Sequence, residues 1–185
     1  MSTAELMMEY TSPRSRLTVF FRYILAIPHV LIAQVWGYLV NLLTFFQWWI
    51  ILFTGKRNEG IWNMQRSWLA YASRVYTYYT LMYDKWPNIG AEPNGEPVAL
   101  AFSYEAGASR LTNFFRIIMI IPAIIVAAVV GIGFIVCMVL SWLAIIITGK
   151  HPQGLWGFML RFHRFTTRLV SYHLLMTDTY PKYGA

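Results

Sequence analysis

The chain has 185 residues, 57% of them hydrophobic and only 12% charged, and a formal net charge of +7. No Lys, Arg, Asp or Glu occurs from Tyr23 to Thr54 or from Ile117 to Gly149. Each run exceeds the roughly 20 apolar residues a spanning helix needs, which excludes an ordinary soluble domain and predicts an integral membrane protein. The basic residues stand singly at the edges of these runs, so anionic lipid rather than nucleic acid is the expected partner.

Met1 to Tyr10 lacks the basic edge and small-residue cleavage site of a signal peptide, so the first apolar segment is expected to remain as an internal insertion signal. Leu6 to Tyr10, and more clearly Val98 to Tyr104, read as short extended arms able to pair. Arg16 to Phe53 follows; as one helix it would measure about 57 Å against a hydrocarbon core of about 30 Å. It is expected either to bend at Pro28 into the interface or, preferably, to turn back near Gly37 and Asn41 as a helical hairpin, with Gly131 and Gly133 marking the same region of the second run. The hairpin would bring Arg14, Arg16 and Arg22 to the same side as Lys56 and Arg57, the cytoplasmic side by the positive-inside rule.

Thr54-Gly55-Lys56 and Thr148-Gly149-Lys150 close the runs as helix stops, with glycine in the left-handed cap and lysine at the carbonyl end. A phosphate-cradling loop would need an upstream glycine and a Ser or Thr after the lysine, where Arg57 and His151 stand. From Ile61 to Tyr83 the pattern becomes amphipathic, with Arg66 and Arg74 among Trp62, Trp68 and Leu69; Arg161, Arg164 and Arg168 recur among Leu155, Phe158 and Phe162. Each such helix is expected to lie in the headgroup layer, with packing across the hairpins as the alternative. Asp84 and Asp178 then precede Pro87 and Pro181. They read as capped turns whose carboxylates take backbone N–H groups or an arginine; a proton or cation site would require them to face a cavity.

The two halves are copies. A gapless shift of 94 residues superimposes residues 4–91 on 98–185, joined by the turn-forming linker 92–97, and 30 of the 88 positions are identical. The matches include Tyr10 with Tyr104, Arg16-Leu-Thr with Arg110-Leu-Thr, Arg22 with Arg116, Pro28 with Pro122, Gly55 with Gly149, Arg74 with Arg168, and Asp84 and Pro87 with Asp178 and Pro181. In these motifs the chain resembles DUF4389, a family of prokaryotic membrane domains of unknown function. Its pattern runs Tyr, Arg-Leu, Arg with Ile-Pro, Thr-Gly-Lys/Arg and finally Asp-x-Tyr-Pro. The first copy departs from it with Asp84-Lys-Trp-Pro87, and lacks the proline that the second supplies as Pro152. The resemblance covers nearly the whole chain and implies no activity.

The expected architecture is therefore an all-α integral membrane protein of two tandem repeats, each a short extended arm, a transmembrane hairpin and an amphipathic interfacial helix. Residues expected at lipid headgroups are Arg16, Arg22, Lys56, Arg74, Arg110, Arg116, Lys150 and Arg168; Pro28, Gly55, Asp84, Pro87 and their equivalents Pro122, Gly149, Asp178 and Pro181 are structural. None of His29, His151, His163 and His173 recurs in the other copy, and the metal reading of His163 and His173 lacks further ligands. No cofactor is expected; His29 in its apolar run is the one candidate for ligating a haem or chlorin, against the plainer reading of a hydrogen-bonded histidine. Cys137 can make no internal disulfide and reads as packing. Neither a nucleophile elbow nor paired catalytic carboxylates are present, and the runs hold no ionisable residue but His29, which disfavours an enzyme or active transporter. The leading expectation is a non-catalytic module of the cytoplasmic membrane, multi-pass with cytoplasmic termini, acting as an accessory or scaffolding subunit alongside other subunits or itself. The alternative is a lipid-binding or transport protein with a cleft between the repeats, lined by Arg22, Arg74, Arg116 and Arg168.

Overall fold

A computed structural model describes residues 3–184. Two strands, β1 (Glu5–Met8) and β2 (Val98–Ala101), pair antiparallel with Leu6 opposite Leu100, so the two arms form one small sheet. The helices are α1 (Arg16–Thr54), α2 (Glu59–Tyr79), α3 (Arg110–Met119), α4 (Ile121–Thr148) and α5 (Gln153–His173). Two of them, α1 and α4, are long and apolar enough to cross a membrane.

The expected hairpin within Arg16–Phe53 does not form: α1 is one helix of 39 residues, with Pro28 inside it. Gly37 serves a neighbour instead of a turn. A Cβ there would lie 3.2 Å from Trp68 Cζ2, and the Trp68 indole donates to Ala33 O at 2.8 Å. Asn41 likewise stays helical, its amide donating to Gly37 O. In the second copy the same length of chain is α3 plus α4, separated only at Ile120, which keeps right-handed helical dihedrals next to Pro122.

The partner that turns back on α1 is α2, and on α4 it is α5. Neither α2 nor α5 lies apart as a lone surface helix: α2 buries Trp62, Leu69, Tyr71, Arg74, Val75 and Tyr78. The two also meet each other, and α1 touches α3 at one end and α4 at the other. The result is an antiparallel four-helix arrangement, with β1 against α5 and β2 against α2. Its cores lie between the two layers of helices and beneath the sheet, where Leu6, Ala26, Tyr78, Phe134 and Met159 pack in one cluster and Val40, Trp62, Leu69, Leu100 and Leu174 in another.

The long helices are bounded alike. Ser15 and Ser109 accept from the backbone N–H of Thr18 and Thr112 at the N-termini. Gly55 (φ 70°) and Gly149 (φ 73°) take the left-handed cap at the C-termini, as the Thr-Gly-Lys motif predicts.

Candidate functional site

The repeated polar residues converge on two buried centres, one at each end of the bundle. In the first, Arg22 on α1 is fully buried and donates to Tyr78 O at 3.2 Å, to Tyr83 O and to the Asp84 carboxylate, while its guanidinium covers the Tyr78 ring at 4.3 Å. The other Asp84 oxygen accepts from Ser15 N at 2.9 Å, so the aspartate ties the end of α2 to the start of α1. The second centre repeats this bond for bond. Arg116 donates to Tyr172 O, Thr177 O and Asp178, lies 4.2 Å over Tyr172, and Ser109 N donates to Asp178. The turns so held contain Leu81 and Leu175 at φ 69° and 63°, a left-handed conformation that costs a non-glycine residue about 1 kcal/mol and is held here by the arginine on the flanking carbonyls.

Each centre also takes a basic residue from the other copy. Arg57, next to the Thr-Gly-Lys of the first copy, pairs with Asp178 at 2.8 Å and donates to Leu175 O at 2.8 Å. Its equivalent His151 lies at the first centre with Arg14, which donates to Met82 O. Tyr104 caps Arg57 O and Tyr10 caps His151 O; Trp62 donates to Met176 O and Trp156 to Met82 O. The two copies are thus interlocked through their shared motif residues.

A family model matches most of the chain. The model, described as Domain of unknown function (DUF4389), matches residues 16–89 and again 110–183. The chain belongs to the DUF4389 family, in two tandem copies. No curated protein and no solved structure matches it.

Within this DUF4389 chain the eight expected headgroup residues fall into three groups, buried, half-buried and exposed. Arg22, Arg74 and Arg116 are buried and their terminal nitrogens donate to internal acceptors: Arg74 binds Ala91 O and Gly90 O and lies beside the buried Glu96. Sequence reasoning placed them at the surface because a lone arginine beside tryptophan and tyrosine is an interface signature; the signal it missed is the turn of free carbonyls after each amphipathic helix. Burial alone would raise the Glu96 carboxyl, yet backbone N–H groups of Asn88 and Asn94 and the Arg74 charge hold it below its ordinary value. Arg168 is half-buried on α5, beside Glu5 and Arg164. Arg16, Lys56, Arg110 and Lys150 are exposed, and they gather as two corners: Arg16 lies against Gly149 beside Lys150, and Arg110 against Gly55 beside Lys56. Arg16 and Lys56 therefore stand at opposite ends of α1, which replaces the expected grouping through a hairpin.

Three of the four histidines have local partners. His29 Nδ1 lies 2.7 Å from the Tyr71 hydroxyl, the hydrogen-bonded reading. His163 Nε2 is 2.8 Å from Thr80 Oγ1 and His151 Nε2 is 2.9 Å from Ser141 Oγ. Burial pushes both His163 and His151 down to about 4, with Arg14 adding to the effect at His151. Among the described residues no group of three His, Cys, Asp or Glu could hold a metal, and Asp84 and Asp178 are committed to arginine and backbone N–H groups, as the capped-turn reading has it. Cys137 is half-buried and packs at the edge of a core cluster.

Proposed function

We propose that this protein is a non-catalytic integral membrane module that lies along one leaflet, its long helices parallel to the bilayer plane and its cationic corners on anionic headgroups. One observation carries the reading. From Leu17 to Phe53 on α1, and from Leu111 to Ile147 on α3 and α4, exposed apolar side chains follow one another over about 54 Å of helix, with no charged residue exposed between the corners. The hydrocarbon core is about 30 Å thick, so an upright helix would have to tilt by roughly 56° to keep that length in lipid, beyond the 0–40° that membrane helices adopt.

The opposite side of the bundle supports the same orientation. Trp68 packs at the middle of α1, and Arg66, two residues away, is paired with the exposed Glu92. Phe162 packs against Phe134, the rings tilted at 31°, near the middle of the α3–α4 length, with Arg161 exposed beside it and Glu5 exposed on the adjoining strand. Upright, all four charges and both edges of a two-stranded sheet would sit at mid-bilayer, where each charge costs about 3 kcal/mol and unpaired strand edges are not tolerated. Lying flat, they face water, where a partner subunit or a second copy can dock in an accessory or scaffolding role.

The test is lipid retention. Purified from the cytoplasmic membrane in mild detergent, the protein is expected to resist carbonate extraction and to carry anionic phospholipid by native mass spectrometry, with loss of that lipid in the Arg16→Gln, Lys56→Gln, Arg110→Gln, Lys150→Gln variant. Release by carbonate, or equal retention of neutral lipid in both proteins, contradicts the reading. The alternative of a cleft lined by four arginines is less well supported, because Arg22 and Arg116 occupy opposite ends of the bundle and each turns both terminal nitrogens to internal acceptors.

A further inference from the structure

A groove of about 720 Å³ runs where the last third of α1 meets α3, the start of α4 and the end of α5, so both copies wall it. Its polar residues are mostly turned away from it. Asn41 and Thr44 donate to Gly37 O and Val40 O of their own helix, Asn113 is fully buried with its amide on Trp48 O, and Arg116 gives both terminal nitrogens to the end of α5 and the turn after it. What faces the space, the imidazole of His173 apart, is hydrocarbon. Phe45, Ile117, Ile121 and Ile124 line it and belong also to the exposed apolar surface, so it opens on the side that the membrane reading turns to lipid. There an apolar chain fills it in preference to water.

A pair of cations stands at one end. Arg110, one turn before Asn113 on α3, donates to Phe53 O at 3.0 Å and lies against Gly55, beside the exposed Lys56. Along the helix Ile117 is about 10 Å from Arg110, and the groove follows α3 and α4 from Asn113 to Ile124 for about 16 Å. That length is close to the roughly 15 Å that one leaflet contributes to the hydrocarbon core. We propose that the groove holds one acyl chain of an anionic phospholipid whose phosphate sits on Lys56 and Arg110. The proposal rests on the membrane reading above and names the occupant of one of its two corners. The duplication makes the site one-sided. Arg16 and Lys150 form the equivalent corner, but Tyr23 and Tyr79 stand where the second copy has Ile117 and His173, and their rings meet edge-on at 5.1 Å. Charge alone would hold lipid equally at both corners; the corner at Lys56 and Arg110 adds a slot for the chain and so keeps its lipid longer.

The probe is a phosphatidylglycerol carrying a photoreactive diazirine midway along one acyl chain, added to the full chain in mild detergent and followed by detergent exchange until loosely held lipid is gone. Native mass spectrometry is expected to count one probe per chain, and irradiation to label the peptide from Ile117 to Ile124 and not its counterpart from Tyr23 to Val30. Arg110→Gln/Lys56→Gln should weaken retention about thirtyfold, Arg16→Gln/Lys150→Gln should leave it unchanged, and Ile117→Tyr/His173→Tyr, which copies the first-copy filling, should abolish it. The four glutamine substitutions fall at exposed positions, so the comparison of corners stands even where the filled variant fails to fold. Equal labelling of the two peptides, equal loss at the two corners, equal retention of a phosphatidylcholine probe, undiminished retention in the filled variant, or a lipid-free dimer whose second copy covers the groove overturns the proposal. A protein that resists carbonate yet labels both peptides equally removes this proposal alone, whereas release by carbonate removes the reading it rests on.

Discussion

Arg22 and Arg116 show what a retained polar residue means in an apolar chain. Each is placed in a low-dielectric interior with its carboxylate, two backbone carbonyls and a tyrosine face, and each holds a strained turn closed. Removing one partner leaves the other buried and unpaired, so Arg22→Met is expected to destabilise by about 3 kcal/mol, read as a lowered Tm in detergent. The exposed Arg16→Met should cost under about 1 kcal/mol. The histidines add a pH dependence. A folded-state value near 4 for His163, below the ordinary 6.5, means that the unfolded chain binds more protons between those values. Stability should therefore be full above about pH 6.5 and decline as pH falls toward 4. His163→Leu, the residue of the first copy being Leu69, should flatten that decline; an unchanged acid profile would show that the imidazole is not kept neutral by its site.

At the scale of elements, what could be read from the sequence depended on whether a signal was local. The Thr-Gly-Lys stops, the two arms and the 94-residue period rest on neighbouring residues or on self-comparison, and the structure carries all three. The course of the long run did not follow from local signals: Gly37 looks the same whether it makes a turn or admits an indole, and only Trp68, thirty-one residues on, distinguishes the cases. The same holds for α2 and α5, whose arginines look interfacial until the turns that bind them are seen. Two variants separate these glycines. Gly55→Ala forces a side chain into the left-handed cap and should cost about 1 kcal/mol in thermal unfolding. Gly37→Leu drives a side chain into Trp68 and should cost about 1–3 kcal/mol, with the indole fluorescence shifted as its bond to Ala33 breaks. A neutral Gly37→Leu would mean that α1 and α2 are not packed there.

For the whole molecule, duplication produces an object that neither half forms alone, since each centre draws a basic side chain from the other copy and the sheet takes one strand from each. The same antiparallel arrangement puts Lys150 beside the start of α1 and Lys56 beside the start of α3, at opposite ends of the bundle. That interlock was not legible in the sequence, because Arg57 meets Asp178 only once the two copies are folded against each other. The account turns on how that bundle meets the bilayer, and sidedness decides it. In a Cys137→Ala background, single cysteines at Lys56 and Lys150 can be labelled with a membrane-impermeant maleimide in right-side-out and in inverted vesicles. A module lying in one leaflet predicts that both react in the same preparation and neither in the other; reaction of Lys56→Cys in one and Lys150→Cys in the other would mean that the bundle stands upright across the membrane.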